Sequence, residues 1–148
     1  MILSQKTLYA LRALFELAKR NHQGPIKLPI VSKAQAIPLR FLEVIMGELR
    51  QAKFVVSKRG KLGGYMLARE PKDLTIGEII SFIEGEIRVV DCIAGSKTRQ
   101  PCVLRENCVF IPLWEDVRKS ISSVIDKTSF QQLIEMQKRV NDNITYSI

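Results

Sequence analysis

Six consecutive residues, Arg59-Gly60-Lys61-Leu62-Gly63-Gly64, constrain this chain more than any others. Their glycines give the backbone access to positive φ. Two β-prone runs flank them, Phe54-Val55-Val56-Ser57-Lys58 before and Tyr65-Met66-Leu67-Ala68 after. Such a pattern reads as a β-hairpin with a long basic tip. What precedes the hairpin gives it meaning. Over Pro38–Ala52, Leu42, Ile45, Met46 and Leu49 recur at helical spacing, while Arg40, Glu43, Gly47 and Arg50 fall on another face. Ile37-Pro38 opens this helix, with proline at the first helical position, where its missing N–H has no partner to lose. Leu28–Ala36 supplies one or two helical turns ahead of it. A short helix, a tight turn and a second helix with a polar, partly basic face make a helix-turn-helix. The hairpin that follows is then a wing, and Lys58, Arg59 and Lys61 can lie along phosphates or reach into a minor groove.

Charge agrees with that order of elements. The 148 residues carry a net charge of +8. Residues 1–70 hold 13 Lys/Arg against four acids (Glu16, Glu43, Glu48, Glu70), a local +9, whereas residues 71–148 hold 10 against 11. The first half is a candidate polyanion-binding module, and double-stranded DNA is the expected partner. A basic but inert surface would show the same charge; the helix–helix–wing order is what favours DNA. No apolar run has the length of a membrane span, and the N-terminus lacks the pattern of a secretory signal, so a cytoplasmic location is expected. An enzyme is not expected: no nucleophile is paired with a base, no phosphate-binding motif occurs, and the single histidine, His22, sits beside a turn.

The remaining elements follow from periodicity. Leu8, Leu11, Leu14, Phe15 and Ala18 predict an amphipathic helix over about Gln5–Arg20, broken by Gly24-Pro25. Thr75 and Glu78 have capping-box spacing ahead of Ile76–Glu84, which ends at Gly85. Residues 86–110 lack sustained periodicity and contain every cysteine. From Ile111 onward, Trp114, Val117, Ile121, Val124 and Ile125 form a stripe that predicts a dimerisation helix, with an intramolecular core helix as the alternative. Thr128 and Gln131 have capping-box spacing before a last helix through about Val140. The expected fold is mainly α with a small β-hairpin. It comprises a winged helix-turn-helix domain over 1–85, a cysteine-containing loop over 86–110, and the dimerisation and C-terminal helices over 111–148.

Cys92, Cys102 and Cys108 share one irregular loop. Three thiols in a cytoplasmic chain are not a disulfide framework, and a structural zinc site wants four ligands and commonly CxxC pairs. Thiolates do hold iron–sulfur clusters, and three of them leave one position for another group. Lys97, Arg99 and Arg105 in the same loop favour thiolates and an anionic cluster. Reactive thiols acting by direct oxidation, or three ordinary buried cysteines, are the competing readings.

Several motifs together resemble the Rrf-two family of bacterial winged-helix regulators over essentially the whole chain. They are Leu3-Ser4 with Tyr9-Ala10-Leu11-Arg12-Ala13-Leu14, Ile37-Pro38-Leu39-Arg40-Phe41-Leu42-Glu43, and Leu49-Arg50-Gln51-Ala52 leading into Arg59–Ala68. Leu74-Thr75-Ile76-Gly77-Glu78-Ile79-Ile80 and Leu113-Trp114 complete them. The resemblance implies a homodimeric repressor whose helix Pro38–Ala52 enters the major groove while Arg59 probes the adjacent minor groove. It places Glu43 where a carboxylate helps discriminate operators, a role that acceptance from cytosine N4 would serve. It also places Cys92, Cys102 and Cys108 on the family's cluster ligands, for a cluster of the 4Fe–4S or 2Fe–2S type. The chain departs from its relatives at Ile111 and Leu8, where two members have a histidine and an aspartate ligand. Asp91, Glu106 or an exogenous molecule remain as candidates for the fourth ligand. Arg40, Val44 and the wing's Leu62 also differ from the family pattern. Two further readings keep the same fold: a cluster-free thiol redox switch, and a repressor regulated by a partner protein.

Overall fold

Ser4 sets the start of α1 (Gln5–Lys19): its backbone is extended and its hydroxyl accepts the Thr7 N–H at 3.2 Å. In this computed structural model, which describes residues 3–90 and 102–145, α1 is the central element. Around it pack α2 (Leu28–Gln35), α3 (Leu39–Gln51), β2 (Gly64–Leu67), α4 (Ile76–Glu84) and α6 (Phe130–Thr145). Its buried residues are Thr7, Ala10, Ala13, Leu14, Glu16, Leu17 and Ala18. The expected stripe shares only Leu14 and Ala18 with that set. Leu8 faces outward, and Leu11 and Phe15 are half-buried. The reason is the crowding: a helix enclosed on several sides buries small residues that let neighbours approach, and large-residue periodicity does not register alanines.

The helix-turn-helix forms as the sequence predicts, with one correction. Ala36 adopts the left-handed conformation (φ 48) at the end of α2, the Ile37 N–H returns to the Ser32 carbonyl at 3.0 Å, and α3 begins at Leu39. Pro38 is therefore the N-cap, extended at φ −57 and ψ 127, and not the first helical residue. Its carbonyl accepts the Leu42 N–H at 3.1 Å, so the ring's missing donor is harmless there too. Leu42, Ile45, Met46 and Leu49 are all buried, as expected.

Strand β1 (Val55–Lys58) pairs antiparallel with β2, in the register Val55↔Leu67 through Lys58↔Gly64. Ile26 adds an antiparallel bridge to Tyr65, two hydrogen bonds of 2.8 Å each, so the hairpin is tied back to the segment before α2. The capping box at α4 is present in full: Thr75 accepts from the Glu78 N–H, and Glu78 accepts from the Thr75 N–H at 2.9 Å. The box predicted for the last helix lies one residue later, at Ser129 and Gln132. Thr128 is committed elsewhere: its hydroxyl donates to the Val124 carbonyl at 2.7 Å and its own carbonyl accepts from Ile76. α6 also continues beyond Val140, to Thr145, and its Phe130 is fully buried in the same core as Leu14, Leu42 and Leu74. The stripe helix, α5 (Phe110–Ile125), is different. It packs on α4 and buries none of its residues.

One buried charge holds α1 to the helix-turn-helix. Glu16 is 2% exposed and accepts from Lys19 at 2.8 Å, Arg20 at 2.6 Å and Gln35 at 2.8 Å. Burial works against its charge, yet these donors outweigh it and hold its carboxyl at about 2, below the ordinary 4.5. A lowered folded value means stability that is complete above pH 4.5 and drains as pH falls toward 2, in all about 3 kcal/mol. Urea titrations of wild type and Glu16→Gln should differ by about that much at pH 7 and converge near pH 2. A difference that persists unchanged at pH 2 would assign the effect to packing.

Candidate nucleic-acid interface and cysteine loop

The outward face of α3 and the wing form one cationic surface. Arg40, Glu43 and Arg50 are exposed on α3, and Lys58, Arg59 and Lys61 are exposed on the wing. Some cations elsewhere are paired: Lys6 with Glu48 at 2.5 Å, Arg69 with Glu78 and Arg118 with Glu115, both at 2.9 Å. Among the described residues, Arg40, Arg50, Lys58, Arg59 and Lys61 form no ion pair. Unpaired cations on one face raise the local potential that a phosphate chain would meet. Arg50 donates to the Ser57 hydroxyl at 3.3 Å, which ties the end of α3 to β1 and fixes helix and wing relative to each other. All six of these residues thus lie exposed on α3 and the adjoining wing.

The wing's shape rests on Gly63 and Gly64. A Cβ on Gly63 would stand 2.2 Å from the Lys58 carbonyl oxygen, and one on Gly64 2.4 Å from the Ile26 carbonyl oxygen. Backbone occupies both places, so no side chain fits and the tip Arg59–Gly63 keeps one tight path. Leu62, at the wing tip, projects into solvent.

Two of the three cysteines lie among the described residues. Cys102 is exposed, Cys108 is half-buried, and both thiols are free. A 3-10 turn, Arg105–Asn107, separates them, with the Arg105 N–H bonded to the Cys102 carbonyl at 3.1 Å. The Cys108 carbonyl in turn accepts the Ile111 N–H at 3.3 Å, so the last cysteine is hydrogen-bonded to the first turn of α5. Cys92 and Asp91 lie outside the described residues, and among those described no three metal-ligating side chains converge. Glu106 is exposed in the turn; Ile111 and Leu8 have no donor atom.

Sequence reasoning missed a clasp near this loop. Glu84, at the end of α4, accepts the Ser4 N–H at 2.8 Å and the Thr7 hydroxyl, and these bonds hold its carboxyl below the usual carboxylate range. It joins the start of α1 to the point where the cysteine loop begins. Nothing local could have announced it, because the partners are some 80 residues apart.

Comparison with known proteins decides what this arrangement belongs to. Residues 3–136 match the family described as Rrf2, Iron-dependent Transcriptional regulator. The chain belongs to the Rrf2 family. It is a transcriptional regulator, not an enzyme. A relative, the HTH-type transcriptional regulator IscR of Aliivibrio salmonicida, is 32% identical over 90% of this chain and 77% of its own length. Among solved structures, T. potens IscR superimposes with a TM-score of 0.75 at 31% identity, covering 95% of this chain and 90% of that one. CymR, the global cysteine regulator of B. subtilis, gives 0.75 at 29% identity, over 92% and 98%. The expected winged-helix fold is thereby established for this Rrf2 member. No helix among its described residues is long and apolar enough to cross a membrane.

Proposed function

We propose that this Rrf2 regulator is a homodimer that binds a pseudo-palindromic DNA operator and is controlled through an iron–sulfur cluster held by Cys92, Cys102 and Cys108. The observation that carries the proposal is the Cys108–Ile111 bond, because it joins the thiol loop to α5, the helix with an uncovered apolar side. Anything that orders the loop bears on the helix through which two winged domains would be spaced. The donor set suits the cluster: the described thiols are soft, free and close in sequence, and one is open to an approaching iron. A bound cluster would supply an iron centre that responds to oxidants or small ligands. In the DNA complex, Arg40, Glu43 and Arg50 would face base edges and the backbone of the major groove. Lys58, Arg59 and Lys61 would follow the phosphates into the minor groove.

A second reading, a cluster-free thiol switch, draws on the exposure of Cys102 and on the likeness to a cysteine regulator. Both readings share the DNA-binding step, which titration of operator DNA tests. Affinity should fall steeply between low and moderate salt. Arg59→Ala should weaken specific binding by roughly 1–3 kcal/mol while leaving the fold intact. Operator affinity equal to wild type would remove Arg59 from the readout.

A further inference from the structure

The outermost line of α3 is not basic along its length. At about 100° per residue, Arg40, Val44, Gly47 and Gln51 fall on one line, opposite the buried Leu42, Ile45, Met46 and Leu49. Val44 is 60% exposed at the centre of that line, and Phe41, 59% exposed, shares with it a groove bounded by Gln5, Lys6 and Tyr9 of α1. Gly47 follows one turn later. Inside a helix, glycine is less favourable than alanine, so an interior glycine calls for a reason. Packing against the described residues supplies none: beyond its chain neighbours and the helix's own backbone, nothing among them lies within 4 Å of where a Gly47 Cβ would stand. An open space in front of a helical glycine is room for something outside the molecule to come close.

We infer that Gly47 lets α3 settle deep in the major groove and that Val44 reads a thymine methyl group there. The inference rests on the DNA-binding reading above and adds base identity to it. The occupant is set by charge: Arg40 at the start of this line, Arg50 to one side of it, and Lys58, Arg59 and Lys61 on the wing form no ion pair among the described residues and would hold a polyanion against it. Thymine's C5-methyl is the one apolar group a base pair presents in the major groove, and an isopropyl side chain is its natural contact. Beside Val44, Glu43 offers only acceptors, which suit cytosine N4 and are repelled by phosphate. The half-site should therefore contain at least one thymine whose methyl group matters, close to a cytosine.

The test begins with the full chain, purified anaerobically and used with and without iron and sulfide reconstitution, selecting operators from random duplex. Single thymidines of the selected half-site are then replaced by deoxyuridine, which removes only the methyl group. Wild type should lose about fourfold in affinity at one or two positions, the worth of one buried methyl. Val44→Ser should bind more weakly and be insensitive to the same replacements. Gly47→Ala should melt at a higher temperature yet lose tenfold or more in operator affinity. Replacements that are neutral everywhere, or felt equally by Val44→Ser, would overturn the methyl readout. A Gly47→Ala chain that binds like wild type would overturn the close approach. Failure to enrich any duplex, with no salt-sensitive binding, would instead sink the DNA-binding reading and this inference with it.

Discussion

A Trp114→Glu chain should be a monomer by light scattering at micromolar concentration, and should bind a two-site operator at least a hundredfold more weakly than wild type. The expectation comes from α5. Every other long helix places residues in the common core, whereas α5 buries none. Trp114, Val117, Ile121 and Ile125 are only half-buried, and Phe110, Leu113 and Val124 on the same helix are more than half exposed. In the proposed homodimer, a second copy of α5 would cover this apolar surface. A glutamate in the middle of such a seam would put a charge where no partner awaits it. The large loss of DNA affinity follows because a dimer engages its second half-site as an intramolecular event. The half-sites should be about one helical turn apart or a multiple of it. Since α5 contributes nothing to the core, the variant should keep its helical circular dichroism, and a dimeric Trp114→Glu protein would count against the interface.

Much of this fold was legible because the relevant signals are local. The α3 stripe, the Thr75–Glu78 capping box and the glycine-rich wing each lie within a few residues of one another, and each formed as the pattern predicts. Where the reading slipped, a tertiary contact had intervened. Ala10 and Ala13 are buried in α1 because four other helices close around them, which a search for large apolar residues does not register. The last capping box moved to Ser129 because Thr128 is bonded to Val124 and Ile76. Glu16 was legible only as an acid among bases; its burial depends on Gln35 arriving from α2. At the candidate interface, residue type and spacing indicated which side chains face outward. The ties that orient them, Arg50 to Ser57 and Ile26 to Tyr65, join separate elements and became visible only in three dimensions.

The cysteine loop carries the other large expected effect. Wild type reconstituted anaerobically with iron and sulfide should gain visible absorbance and bind iron and sulfide in near-equal amounts, whereas Cys102→Ser should retain little of either. Serine is a harder and poorer iron ligand, and the two thiolates left behind would not hold a cluster. Cys102 is the informative position. It is exposed, so the substitution leaves no cavity, and its carbonyl, not its sulfur, makes the bond that begins the Arg105–Asn107 turn. Loss of the cluster in this variant would thus report on ligation and not on folding. The regulatory half of the idea needs a second comparison, because a ligand shifts an equilibrium only by its differential affinity for the two states. Loaded and unloaded wild type should therefore differ in operator affinity, while Cys102→Ser should show one affinity under both conditions. Uptake without any change in DNA binding would leave the cluster in place and remove it from regulation. If wild type takes up neither iron nor sulfide, the cluster reading falls. The exposed thiol of Cys102 then becomes the sensing group, and operator affinity should change on mild oxidation of wild type but not of Cys102→Ser.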